Sequence, residues 1–288
     1  MTLLNLIPLT LQTSIFLLVL SIGLTATLQD ATLMFRNPGK LLRMVVAMDL
    51  VVPAFAVAVV LAFDLRHAVE IALVAIAISP VPPFLPIKAM KAGEQRTYTI
   101  SLLVAAAILS VAFIPLVMNL LDQLSPATLA MSPVIVAKQV SVSVLAPLAI
   151  GIAVRHFAAR IADRSAKLML VVAVVLLVAV LLPVVITAWS AIVSLIGNGT
   201  VLAFAALIAV GLAAGHLLGG PRSEERTMLA LASGSRHPAV AVALAHANFP
   251  DDKLVMPAVL LYLIVCAVVT IPYVQWSRRR IGKLVARG

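Results

Sequence analysis

The sequence has little with which to build a water-soluble, disulfide-stapled or metal-dependent protein. It holds one cysteine, Cys266, so no internal disulfide can form. Lying in an apolar stretch, that cysteine reads as a small packing residue. Charged residues make up only 11% of the 288 positions, with 11 acidic against 21 basic. That is too few to cover a water-facing surface of this size. No H-E-x-x-H occurs, which excludes the zinc-protease arrangement. Asp49 is the one acidic residue placed inside an apolar run, so a facing pair of carboxylates is missing too. Ser233 and Ser235 lie too close in sequence to His237 for a nucleophile and its base. Enzyme chemistry is therefore not expected, nor is a cofactor or a metal.

What is abundant is apolar. Hydrophobic residues make up 63%, and the mean hydropathy is +1.16, the composition of a polytopic membrane protein. The chain becomes apolar almost at once, without a basic leader or a small-residue cleavage site. The first segment is therefore expected to be a retained span. A span needs about 20 apolar residues. Nine are expected, at roughly 7–28, 43–63, 68–90, 97–121, 131–154, 167–188, 191–218, 227–248 and 254–276. With the N-terminus outside, seventeen of the 21 Lys and Arg fall on the inner side. Arg66 and Lys253 fall outside, and Lys138 and Arg236 lie within spans. This asymmetry sets the orientation, with the C-terminus cytoplasmic, in a plasma (inner) membrane. It also explains the net charge of +10 without a nucleic-acid partner.

Two spans are interrupted. Span 3 carries Ser79, Pro80, Pro82, Pro83 and Pro86. Span 8 carries Ala232 to Pro238, reading A-S-G-S-R-H-P, with Gly234 between Ser233 and Ser235. Proline removes a helical donor, and the residue before it is pushed out of the helical region. Breaks at corresponding positions of two halves point to a transport site. The expected fold is all-α integral membrane, a single domain, with nine transmembrane helices in an inverted (4+5) repeat. Spans 3 and 8 are its crossed, broken helices.

Arg236 lies ten residues past Arg226, roughly 15 Å deep at 1.5 Å per residue. It reads as a fixed cation for an anionic substrate or as a structural charge paired to a neighbouring helix. Asp49 lies roughly 9 Å deep, six residues past Arg43. A buried carboxylate and guanidinium would satisfy each other, so an Asp49–Arg236 pair is expected. The alternatives are that Asp49 carries a coupling proton or faces a cytoplasmic cavity unpaired. His237 reads as a packing residue or as a contact to substrate or proton. Ser79, Ser233, Ser235 and Pro82 are expected to line the site. Helix restarts after Pro86 and Pro238 would present positive N-termini there. The partners expected are a small organic anion and the lipid bilayer; the oligomeric state stays open.

The order of features resembles the bile acid:sodium symporter family. Ser21 to Asp30 reads S-I-G-L-T-A-T-L-Q-D, followed by R-N-P-G-K-L-L-R and M-D-L-V-V-P. Ser79-Pro80 precedes K-A-G-E at Lys91 to Glu94, and Glu225 to Phe249 is similar to the family's second crossing. The resemblance implies a core of spans 2–4 and 7–9 (about 43–121 and 191–276). It implies a panel of spans 1, 5 and 6 (about 7–28 and 131–188). Alternating access for an organic anion follows from it. Where the resemblance implies sodium ligands, this chain departs. Leu85 and Pro86 replace a Ser-Asn pair, Ala232 a Glu, Arg236 a Gln, His237 an Asn, and Asp49 a Gln. Leu, Pro and Ala offer no oxygen to a hard cation, and a guanidinium repels it. The reading is a sodium-independent carrier, uniporting or proton-linked, with Arg236 standing where sodium would bind. This is similar to auxin efflux carriers. The alternatives are a sodium-coupled, bile-acid-like symporter or a non-transporting membrane sensor of the same fold.

Overall fold

The computed structural model describes residues 3–82, 94–124, 134, 138, 141–238, 240–242, 249 and 251–285. The described residues are helical throughout, joined by short turns. Helix α1 (Leu3–Thr25) stops before Ala26, and the chain then turns by 88° into α2 (Leu28–Arg36). The turn is written in T-L-Q-D. Thr27 and Asp30 form a capping box, the hydroxyl accepting from the Asp30 N–H at 3.1 Å and the carboxylate from the Thr27 N–H at 2.9 Å. The expected inner loop is thus partly helical.

Helix α3 (Pro38–Val45) runs through a π-helical turn (Val46–Val51) into α4 (Val52–Ala62), and together they are long enough to cross a membrane. A second π turn (Ser141–Leu145) precedes α7 (Ala146–Phe157). Each π turn stands just before an X-Pro step, Val52-Pro53 and Ala146-Pro147. Because proline has no N–H, the ladder near it cannot close in the ordinary register.

Helix α5 (His67–Ile78) is apolar all round, and every residue from Ile71 to Ile78 is buried. A helix of this kind belongs in the middle of a bundle. α6 (Glu94–Leu124) packs along α2. α8 (Ala159–Thr187) and α1 lie side by side, with α7 against both. Much of α8 leaves Leu168, Val175, Leu182 and Ile186 exposed, a surface suited to acyl chains and not to water. α9 (Trp189–Ser194) is short and separate from α10 (Thr200–Leu218). The stretch 191–218 is therefore not one helix: Gly197, Asn198 and Gly199 all take positive φ and break it.

Close helix contacts rest on glycine. α10 meets α11 (Ser223–Gly234) so tightly that a Cβ on Gly215 would lie 2.4 Å from the Leu229 carbonyl oxygen. On Gly211 it would lie 2.5 Å from that of Ser233. Gly23 of α1 and Gly151 of α7 approach in the same way. Small residues let membrane helices pack backbone to backbone. α12 (Val255–Val285) closes the chain. Among the described residues, four stretches are long and apolar enough to cross a bilayer: Pro38–Ala62, Ala159–Thr187, Thr200–Leu218 and Val255–Arg279. The bent α1–α2 pair makes up to five. Of the nine expected spans, spans 3, 5 and 8 each include residues outside those described.

Candidate functional site at two helix breaks

The site is built from three interruptions of helix. α5 stops at Ile78, and Ser79 is extended, with φ −69° and ψ 149°. α11 stops at Gly234, and Ser235 is extended, with φ −120° and ψ 132°. The third is the π turn that carries Asp49. The two breaks meet directly: the His237 N–H donates to the Pro80 carbonyl at 2.9 Å. Buried backbone groups freed from a helix need partners, and each break supplies the other.

Arg236 lies between them, only 3% exposed. Its Nη1 donates to the Ser79 carbonyl at 3.2 Å, and its Nη2 donates to the Met48 carbonyl. Both acceptors have a reason to be free. Ser79 lies just past the end of α5, where carbonyls lose their helical partner. Met48 stands five residues before Pro53, so in the i→i+5 pattern of a π turn its carbonyl would face a residue with no N–H. Tyr262 of α12 finishes the second break, donating to the Gly234 carbonyl and accepting from the Arg236 N–H, each at 3.2 Å.

Asp49 and Arg236, the expected pair, are close neighbours, with no hydrogen bond between them among the described residues. Asp49 is buried near the guanidinium, but the arginine's terminal nitrogens are engaged by backbone carbonyls. Asp49 Oδ2 and Arg236 Nε each lack a partner among the described residues. The physical reason is that the C-terminal end of α5 and the π turn each free a backbone carbonyl beside the cation. They offer it the acceptors that the carboxylate was expected to offer.

His237 is the N-cap of the restart at Pro238. Its carbonyl accepts from the Ala241 N–H at 3.0 Å, and its Nδ1 accepts from the Val240 N–H at 3.4 Å. Nδ1 as acceptor makes Nε2 the protonated nitrogen. Nε2 is buried and without a partner among the described residues. Ser79 Oγ returns to the Ile76 carbonyl at 2.8 Å, so this serine caps its own helix. Ser235 Oγ lies 3.6 Å from Cys266 Sγ, and Ser233 Oγ is buried without a partner among the described residues. Pro82 is buried beside the first break. Pro83, Pro86 and the expected restart after Pro86 lie outside the described residues.

A cavity of about 290 Å³ adjoins the second break, between α1, α8 and α12. His237 and Pro238 form part of its wall; Arg236, Ser79, Ser233, Ser235 and Pro82 do not. Sequence reasoning missed Tyr262 and the Met48 carbonyl. A tyrosine inside an apolar span needs a partner for its hydroxyl, and Pro53 marks the free carbonyl; these were the available signals.

Residues 13–198 match the Sodium Bile acid symporter family. The chain belongs to this family. It is thus a multi-pass membrane transporter of the organic-anion type and not an enzyme, as its residues led us to expect. No curated protein matches the chain. The matched residues include Asp49 and the break at Ser79-Pro80 and end before Arg236.

Proposed function

We propose that this family member is a sodium-independent secondary transporter of organic anions in which Arg236 is a built-in cation. One observation carries the reading: the guanidinium bonds the Ser79 carbonyl at the end of α5 and the Met48 carbonyl of the π turn. Unwound carbonyls and half-helix C-terminal ends are where carriers coordinate a coupling cation, and sodium is a hard ion that wants such oxygens. A fixed positive group already holds them here. The substrate-facing side of the break belongs to His237 and Pro238. Asp49 remains beside the cation as its nearby counter-charge or as a proton carrier.

The reading includes nine spans in an inverted repeat, with the N-terminus outside and the C-terminus cytoplasmic in the plasma membrane. Core helices at about 43–121 and 191–276 move against panel helices at about 7–28 and 131–188 to give alternating access. The contact of α1 with α7 and α8, and of α10 with α11, supports that division. The test is thermal stabilisation of the purified protein by a panel of organic anions, with sodium or choline in the buffer. Stabilisation that ignores sodium is expected. Stabilisation that requires sodium would mean that its oxygen ligands come from elsewhere and that Arg236 has another role.

A further inference from the structure

The cavity beside the second break offers only apolar surface. Its wall is aliphatic: Leu18 from α1, Leu181 and Val184 from α8, Leu260 from α12. The polar groups of its two polar residues are turned away. The Ser14 hydroxyl donates to the Ala173 carbonyl at 2.7 Å. His237 Nδ1 accepts from the Val240 N–H and Nε2 is enclosed, so the ring shows the cavity only carbon. Water needs several polar partners to stay in such a place, and none is offered. The headgroup of an anion finds nothing to hold it either. An empty space of about 290 Å³ nevertheless forfeits contacts for every side chain around it. An engineered cavity of about 150 Å³ with a similar wall stays dry and takes up benzene. The chemistry that fits is hydrocarbon.

Position identifies the source of that hydrocarbon. Leu18, Leu181 and Leu263 stand roughly 9–12 Å inside the nearer ends of α1, α8 and α12, at 1.5 Å per residue. The cavity therefore lies at acyl-chain depth. It is open on one side, where the wall residues Leu11, Leu177, Leu181 and Leu263 are only partly buried. Close by on the same helices, Leu9, Val178, Leu182 and Ile264 are exposed. None of these positions is polar, so the bilayer-facing surface continues into the cavity. A lipid can insert its tail and leave its headgroup at the interface. A water-borne solute cannot leave its polar part behind, and burying that part unpaired is costly. We propose that the cavity binds one acyl chain of a membrane phospholipid. The site rests on this geometry alone, and its consequence rests on the transporter reading above. There α1 and α8 are panel, while α12 and the helix restarted at Pro238 are core, so a seated chain wedges the two and holds the carrier in this arrangement.

The test reconstitutes the full chain in nanodiscs of phosphatidylcholine that carries a diazirine at the end of one acyl chain, and maps the photo-adducts by peptide mass spectrometry. Adducts are expected on exposed Val178 and Leu182 and also on Leu18, Val259 and Leu260, which are buried and out of reach of a lipid that stays outside the bundle. Leu181→Trp, which fills the cavity, should lower the buried adducts about tenfold and leave those at Val178 and Leu182 unchanged. Leu177→Phe is a milder filling and should act in the same direction. Adducts confined to the exposed positions would overturn the proposal, as would buried adducts that neither substitution lowers. The buried adducts should also persist in excess taurocholate held below its micellar range. Their loss there would assign the cavity to the apolar body of a solute and overturn the lipid assignment. All of these results leave the Arg236 reading standing, since that is judged by sodium dependence alone.

Discussion

Arg236→Gln separates a built-in cation from a structural charge. The native guanidinium donates to two buried carbonyls, those of Met48 and Ser79. Hydrogen bonds from a charged group are worth about 1.5–3 kcal/mol each, so losing both costs about 3–6 kcal/mol. Against this, the variant no longer buries a cation, whose desolvation costs several kcal/mol. The two effects nearly offset, and in choline buffer the variant should stay within about 2 kcal/mol of the native chain. What changes is the site's appetite for sodium. The variant presents the two carbonyls and a new amide oxygen, with Asp49 nearby as a carboxylate. Sodium at 100 times its dissociation constant would then stabilise by about 2.7 kcal/mol, a shift of about 5–10 °C at roughly 2–4 °C per kcal/mol. The assay is a thermal melt in sodium and in choline at equal ionic strength. The native chain should show no difference and Arg236→Gln a clear one. A sodium shift in the native chain, or none in the variant, refutes the reasoning.

Three further variants probe the same region. Asp49→Asn should change stability by less than about 1 kcal/mol, because no hydrogen bond joins it to Arg236; a loss of 3–5 kcal/mol, the cost of breaking a buried pair, would restore the direct pair. Tyr262→Phe removes the hydroxyl that joins the Gly234 carbonyl to the Arg236 N–H, and should cost about 1–3 kcal/mol in a melt. Gly215→Ala places a methyl 2.4 Å from the Leu229 carbonyl oxygen, and should cost about 1–3 kcal/mol through forced separation of α10 and α11. Gly39→Ala, with nothing within 4 Å of the added carbon, is its neutral control.

Side-chain chemistry was legible in the sequence, and backbone chemistry was not. Pro80 and Pro238 announced breaks because proline always removes a donor, and those breaks lie against each other through His237 and Pro80. Depth counted from Arg43 and Arg226 brought Asp49 and Arg236 within a side chain's reach of each other, because the rise per residue of a helix is fixed. What that counting lacked was the acceptor. Every residue has a carbonyl, and only geometry frees one; the carbonyl of Met48 is freed by a π turn that no periodicity displays. The sequence therefore paired Arg236 with the one carboxylate in view. The same gap reversed the meaning of the dipoles. Two positive helix starts beside an arginine argue for an anion at the arginine itself. The structure places Arg236 against carbonyls freed by the end of α5 and by the π turn, whose negative character answers its charge, and the described helix start lies on the far side of His237. Charge neutrality at the crossing is thus met largely within the protein.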